Sequence, residues 1–357
     1  MNLEQLGFSA WHQDRIEASK GDKFQIARVT GVHRESYVIA GEKGTTSAKS
    51  RGKLKFAADS ALELPTVGDW VYVKYPKDDS FAAIQAVFPR KSLLKRKTSG
   101  KRVEFQLIAA NIDVALIIQS LDADYNLRRL ERYLVMVNES HIEPVVSLSK
   151  RDLVHAEELS EKVAEIRNLM PEVRIVAFSN TDRSGLEEIE GLLMPGLTYC
   201  LLGSSGVGKT TLLNNFLGEE RLETQAVREK DGKGRHTTSA RELILLKNGS
   251  LIVDTPGMRE LGNIDVEVGL SETFDDIELL ATQCRFRDCS HAKEQGCAVL
   301  AAIEKREISL ERYDNYEKMV RDAARHEASQ VEKRRRDKKS GRFYKTVMKH
   351  NVKKRWS

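Results

Sequence analysis

Gly203-Ser204-Ser205-Gly206-Val207-Gly208-Lys209-Thr210 is the stretch that decides how this chain is read. It has the form G-x-x-x-x-G-K-T, follows the apolar segment Leu197–Leu202 and opens the amphipathic segment Thr210–Leu217. Glycines at these places let successive backbone N–H groups turn inward around an anion, at the positive end of the following helix. Lys209 reaches the β- and γ-phosphates of a nucleotide and the Thr210 hydroxyl ligates Mg²⁺. Ser204, Ser205, Val207 and Thr211 belong to the same phosphate-contact set. The string alone arises by chance; a buried strand before it and a helix after it give it meaning.

Downstream, the apolar strand Leu251–Val253 leads into Asp254-Thr255-Pro256-Gly257, a D-x-x-G arrangement 45 residues after Lys209. Asp254 orders Mg²⁺ through water and the Gly257 N–H senses a γ-phosphate. Between the two motifs lies the polar, glycine-rich segment Gly232-Lys233-Gly234-Arg235-His236-Thr237-Thr238. Such a segment suits a switch in which Thr238, or else Thr237, closes over Mg²⁺. Met258 stands where many GTPases carry the glutamine that orients the attacking water, and a thioether cannot do that. Catalysis is therefore expected from Lys209, Thr238 and His236, with His236 either polarising water or only ordering the switch. Slow intrinsic turnover, accelerated by a partner, follows from that composition.

Base selection lies upstream. Asp152 in Ser149-Lys150-Arg151-Asp152 can accept from guanine N1–H and N2–H₂, which adenine does not offer. Lys150 can lie along the base plane, and Ser149 stands where asparagine is usual. The strand Pro144–Leu148 precedes this element. One strand later, Phe178-Ser179-Asn180 can present a backbone N–H to guanine O6. No [NST]-K-x-D string follows Asp254. Only a circularly permuted order, base recognition first and phosphate loop after it, gives a complete guanine site.

Around this core, residues 1–95 are expected to form an OB-fold barrel that contacts RNA. Its strands are read at Phe24–Val32, Tyr37–Ala40, Leu54–Phe56, Asp69–Val73 and Phe81–Phe88, with Gly41–Gly52 as a basic loop. An SH3-like barrel is the alternative. Residues 96–268 alternate strands and helices, as in a parallel sheet covered on both faces. Residues 269–357 are expected to be mainly helical, broken by Cys284-x₄-Cys289-x-His291-x₅-Cys297. Three thiolates and an imidazole at that spacing fit tetrahedral Zn²⁺, and with all four positions supplied by protein its role is structural. Cys200, in the strand before the phosphate loop, reads as a core residue.

Bulk properties narrow the class. The 357 residues are 40% hydrophobic and 31% charged, and the longest apolar run, Cys297–Ile303, is far too short for a membrane span. The N-terminus lacks the apolar core of a signal peptide, and four cysteines, three of them clustered, argue against a disulfide framework. A cytoplasmic monomer without membrane contact is the expectation. The net charge of +5 hides an asymmetry: Val331–Ser357 carries twelve Lys/Arg against two acids. Phe343, Tyr344 and Trp356 interleave with that charge, a pattern suited to RNA. A second basic stretch, Lys91–Arg102, has six cations and no acid.

Together, Ala109-Ala110-Asn111-Ile112-Asp113, Gly203–Thr210, Gly234–Thr238, Asp254–Gly257 and Cys284–His291 closely resemble the RsgA (YjeQ/YloQ) family of circularly permuted GTPases, over nearly the whole chain. The resemblance implies GTP hydrolysis to GDP, stimulated by the small (30S) ribosomal subunit in its late maturation. It also implies a barrel and a zinc domain that grip 16S rRNA. Ser149 for asparagine, Asn180 where alanine is commoner, and Ser239 after the threonine pair depart from the family pattern. Two other readings remain at this stage: an RNA-binding assembly factor with nucleotide as a static ligand, and an ATPase or other P-loop NTPase unrelated to ribosomes. Asp152 argues against the second.

Overall fold

The computed structural model of the chain describes residues 2–21, 23–33, 36–52, 54, 60–76, 81–97, 105–218, 241–254, 270, 273–286 and 289–321. The first module is a barrel of five strands: β1 (Gln25–Val32), β2 (Tyr37–Gly41), β3 (Gly44–Ser50), β4 (Trp70–Lys74) and β5 (Ala82–Val87). They pair in the order β1-β2-β3-β5-β4, and β4 returns to β1. Only β3 and β5 run parallel. Val29, Ile39, Val71, Val73 and Ile84 fill the interior of this OB-like barrel, all fully buried. Each such side chain contributes about 1.5–3 kcal/mol by leaving water.

One strand differs from the sequence expectation. Gly44–Ser50, read as part of a basic loop, is β3, whereas Leu54 sits in a helical turn and packs on the barrel core. Residues 55 and 56 lie outside the described part. The reason is physical. Only Ala48 of β3 is buried, so the strand carries almost no hydrophobic alternation. Its place is fixed by backbone pairing with β2 on one side and β5 on the other.

The hairpin β6 (Leu93–Lys97) and β7 (Phe105–Ala110) leads from the barrel to the nucleotide-type sheet, so part of the basic stretch Lys91–Arg102 is paired strand. The domain limit expected between residues 95 and 96 falls inside β6. The second sheet contains β8 (Val114–Ser120), β9 (Glu143–Ser149), β10 (Arg174–Ala177), β11 (Thr198–Leu202), β12 (Arg241–Leu245) and β13 (Leu251–Asp254). Their order is β10-β9-β8-β11-β13-β12, parallel except for β12. All seven residues of β8 are buried, as expected of a central parallel strand covered on both faces. The helix Leu127–Glu139 packs on one face; Leu186–Glu190 and Lys209–Leu217 pack on the other.

The two sheets are continuous. Gly31 and Val32 of β1 pair with Glu242 and Arg241 of β12. Beside this seam Arg28, 1% exposed, donates to the carbonyls of Leu6, Gly68 and Asn111 and to Thr198 Oγ1. One guanidinium thus joins the N-terminal arm, the barrel, the connecting segment and the first residue of β11. Asn111, at φ 53°, donates to the Gly68 carbonyl and accepts from the Lys91 N–H. Gly68 has φ +86°, and a Cβ there would lie 2.1 Å from the Ala110 oxygen, so only glycine fits this crossing.

Candidate nucleotide site and metal centre

Strand β11 delivers the phosphate loop, and three glycines shape it. Gly203, Gly206 and Gly208 have φ of 150°, 83° and 94°. A Cβ on Gly203 would meet the Ile118 oxygen at 2.4 Å, and one on Gly208 would meet Asn180 Nδ2 at 2.7 Å. The loop is therefore pressed against the end of the neighbouring strand β8 and against the segment that follows β10. Val207 is buried, whereas Thr210 is exposed at the start of the helix and Thr211 is half-buried. Lys209 Nζ donates to the carbonyls of Gly203, at 2.8 Å, and Ser204, which curls the loop around its own lysine.

The two segments expected to recognise the base lie against this loop. Ser149 is fully buried and its hydroxyl donates to the Val207 carbonyl at 2.8 Å. Asn180 Nδ2 donates to the Gly208 carbonyl at 3.2 Å and its Oδ1 accepts from Asn215 on the following helix. Two of the three departures from the family pattern, Ser149 and Asn180, are thus side chains that hold the phosphate loop, while Ser239 lies outside the described residues. Lys150 adopts the left-handed conformation, φ 60°, and the Arg151 N–H bonds to the Phe178 carbonyl, which sets the two base loops side by side. Ser179 is buried and accepts from the N–H groups of Thr181 and Asp182. Asp152 is exposed in the one-turn helix Arg151–Leu153, free to face a base. The structure thus brings Ser149 and Asn180 onto the phosphate loop, and the Arg151–Phe178 bond holds Lys150, Asp152 and Ser179 in the two adjoining loops. Asp254 ends β13, beside β11. His236, Thr237, Thr238, Gly257 and Met258 lie outside the described residues.

Sequence reading missed two acids at the carboxyl end of β8. Asp122 pairs with Lys150 Nζ at 2.5 Å. Burial would raise its carboxyl, but hydrogen bonds from Lys150, Ser120 and the Asp124 N–H outweigh it and hold it down at about 2. Asp124 accepts from the Ser204 hydroxyl at 2.6 Å. The signal was available in principle, because ligands of α/β sheets gather at the carboxyl ends of central strands.

The cysteine cluster also assembles. Cys284, Cys289, His291 and Cys297 place one donor atom each within 4.8 Å of one another. The Cys284–Cys297 sulfurs are 3.8 Å apart, and His291 Nδ1 lies 3.6 and 3.3 Å from these two. Tetrahedral Zn²⁺ with Zn–S of ~2.3 Å and Zn–N of ~2.0 Å separates S–S pairs by roughly 3.8 Å and S–N pairs by roughly 3.5 Å. The residues fit that ion. Burial raises the Cys284 thiol, but the backbone N–H groups of Ala298 and Val299 outweigh it and favour the thiolate a metal needs. Cys297 caps the helix Ala298–Glu304 by accepting from the Leu300 N–H, and Tyr313 donates to the His291 carbonyl. Cys200 is fully buried in β11, and burial pushes its thiol far up, as expected of a core residue.

Comparison with known proteins agrees with this geometry. The family model described as RsgA GTPase matches residues 87–264. A "Small ribosomal subunit biogenesis GTPase RsgA 2" of Vibrio parahaemolyticus is 39% identical over 97% of this chain and 92% of its own length. One from Listeria monocytogenes is 42% identical over 91% and 90%. The crystal structure of YjeQ from Thermotoga maritima superposes with a TM-score of 0.62 at 27% identity, covering 84% of this chain and 98% of that one. YloQ, a circularly permuted GTPase, shares the fold with a TM-score of 0.58 at 23% identity, over 87% of this chain and 98% of that one. With the base loops of β9 and β10 ahead of the phosphate loop of β11, and relatives matching along nearly its whole length, this chain belongs to the RsgA GTPase family.

Proposed function

We propose that the protein hydrolyses GTP to GDP and phosphate on the small ribosomal subunit, in late maturation of that particle, with the subunit stimulating turnover and hydrolysis driving release. The observation that carries this reading is the contact of both base loops with the phosphate loop, through Ser149 on Val207 and Asn180 on Gly208. A base held by Asp152 and a phosphate chain held by Gly203–Thr210 would then belong to one ligand. Thr210 and Thr238 hold Mg²⁺, Asp254 orders it through water, and His236 is the candidate for polarising the attacking water. One zinc ion at the Cys₃His cluster is structural.

The subunit contact is supported by the names of the relatives and by charge. On the barrel, Lys49 Nζ stands 4.1 Å over the ring of Phe81, which is 48% exposed, and Lys43 stands 4.8 Å over Tyr75. Lysines beside the exposed Phe81 ring and the part-buried Tyr75 ring suit bases and phosphates of 16S rRNA. The basic tail from Val331 adds sequence-independent affinity. The protein acts as a cytoplasmic monomer. Among the described residues no helix is long and apolar enough to cross a membrane.

Base recognition has a direct test. Asp152→Asn replaces an acceptor by an amide that can donate to the C2 carbonyl of xanthine. Titration with fluorescent nucleotides should show GDP affinity falling by about 100-fold and xanthosine diphosphate affinity rising. Unchanged GDP binding would remove Asp152 from the site.

A further inference from the structure

The segment that enters helix Leu127–Glu139 touches the phosphate loop, and the helix itself meets the zinc-bearing module through Arg128, Glu131 and Asn138. At its start, Asn126 caps the helix by accepting from the Arg129 N–H, and Asp124 just ahead of it holds Ser204 of the phosphate loop at 2.6 Å. The same Asp124 carboxylate pairs with Arg129 at 2.9 Å. One turn on, Glu131, 3% exposed, accepts from Arg312 at 2.6 Å and from Asn315 at 2.5 Å, both on the helix 310–321. Arg128 pairs with Glu311 on that helix. Arg312 also binds Asp276 through two hydrogen bonds of 2.8 and 2.9 Å and the Thr273 carbonyl at 3.0 Å. Its neighbour Tyr313 donates to His291, a zinc ligand.

We propose that Asp124 is a positioning residue which ties the phosphate loop to helix Leu127–Glu139, and that this helix carries the setting of the loop to the zinc-bearing module through Glu131 and Arg312. The inference rests on nucleotide binding at the phosphate loop. It names a route separate from the switch segment. Helix Leu127–Glu139 suits the task because Leu130, Tyr133, Leu134, Val135, Met136 and Val137 are all buried, so it shifts as a body. The two ends differ in character. Asp124 and Arg129 are partly exposed and their pair is weak by itself, whereas Glu131 and Arg312 are buried, and a move there strains a hydrogen-bonded charge. A reversible contact at the ligand end and a stiff one at the far end are what a transmitted shift requires.

Amide hydrogen exchange of the full chain, loaded with GDP or with a non-hydrolysable GTP analogue, tests this without ribosomes. Protection along 310–321 should differ between the two states by about threefold or more. Asp124→Asn keeps an acceptor for Ser204 but drops the charge that holds Arg129, and it should abolish the difference. Glu131→Gln should do the same, with nucleotide affinity within twofold of the parent. Arg128→Ala, at the exposed rim, is the substitute if Glu131→Gln melts early. A difference that survives in Asp124→Asn, or no difference in the parent protein, overturns the proposal. Failure of either nucleotide to bind in a parallel titration would instead strike the nucleotide reading itself.

Discussion

Ser149 shows how far one substitution can be understood from its surroundings. The hydroxyl holds the Val207 carbonyl, and both residues are shut away from water. Ser149→Ala leaves that oxygen without this donor, at a cost of about 1–2 kcal/mol. GDP affinity should weaken by about 5- to 30-fold in a fluorescence titration. Ser149→Asn, which keeps a donor, should stay near the parent, and an unchanged Ser149→Ala would show that the bond does not shape the loop. His12 makes a pH prediction. It is 4% exposed, and burial first, then the charge of Arg28, depress it to about 4; Asp113 opposes them, Lys91 adds a smaller push down and Asn111 a still smaller one up. Below pH 6.5 the unfolded chain takes up a proton that the folded chain excludes until about 4. Stability therefore falls as pH drops through that window, by at most about 1.4 kcal/mol per pH unit. Thermal melts of His12→Asn should lose this part of the slope. A slope identical to that of the parent would assign it to other groups.

Elements with a strong apolar signal were legible in the sequence, and those held by backbone alone were not. Val114–Ser120 is found where its near-continuous apolar run places it, because every residue of β8 is buried. β3 escaped because a barrel strand that buries one alanine needs no hydrophobic pattern. Asn111 was visible as part of a family motif but not as a clamp, since its partners Gly68 and Lys91 lie far away in sequence. The Cys₃His cluster was legible because its spacing is local. A zinc ion held by these four donors would brace that module beside its apolar core of Phe274, Ile277, Val299 and Ile308, and Cys289→Ser replaces a soft ligand by a poor one. Zinc content should fall from one ion per chain to less than half. Amide protection of Ala298–Glu304 should fall with it, since Cys297 caps that helix. Full zinc occupancy in Cys289→Ser would take this residue out of the ligand set.

For the whole molecule, the permutation decides what the nucleotide fold is attached to. Its first strand in sequence, β8, follows directly from the barrel hairpin, and β12 is hydrogen-bonded to barrel strand β1. The permuted order was legible from the motifs alone, but this edge-to-edge seam was not, because two paired residues on each side leave no mark in the sequence. Arg28 buries a guanidinium at the junction of arm, barrel and nucleotide sheet. Burial pulls it down to about 10, far enough above neutrality that it stays charged. A phosphate loop whose sheet is joined to the barrel on one side and packs on the Cys₃His module on the other is placed so that, in the function proposed above, turnover responds to what those modules hold. Steady-state hydrolysis of GTP with and without purified small ribosomal subunits, with ATP as control, measures that directly. The account predicts slow turnover alone, a rise of about 10-fold or more with subunits, and no comparable response with ATP. Equal GTP turnover with and without subunits, or ATP consumed as readily as GTP, would contradict it.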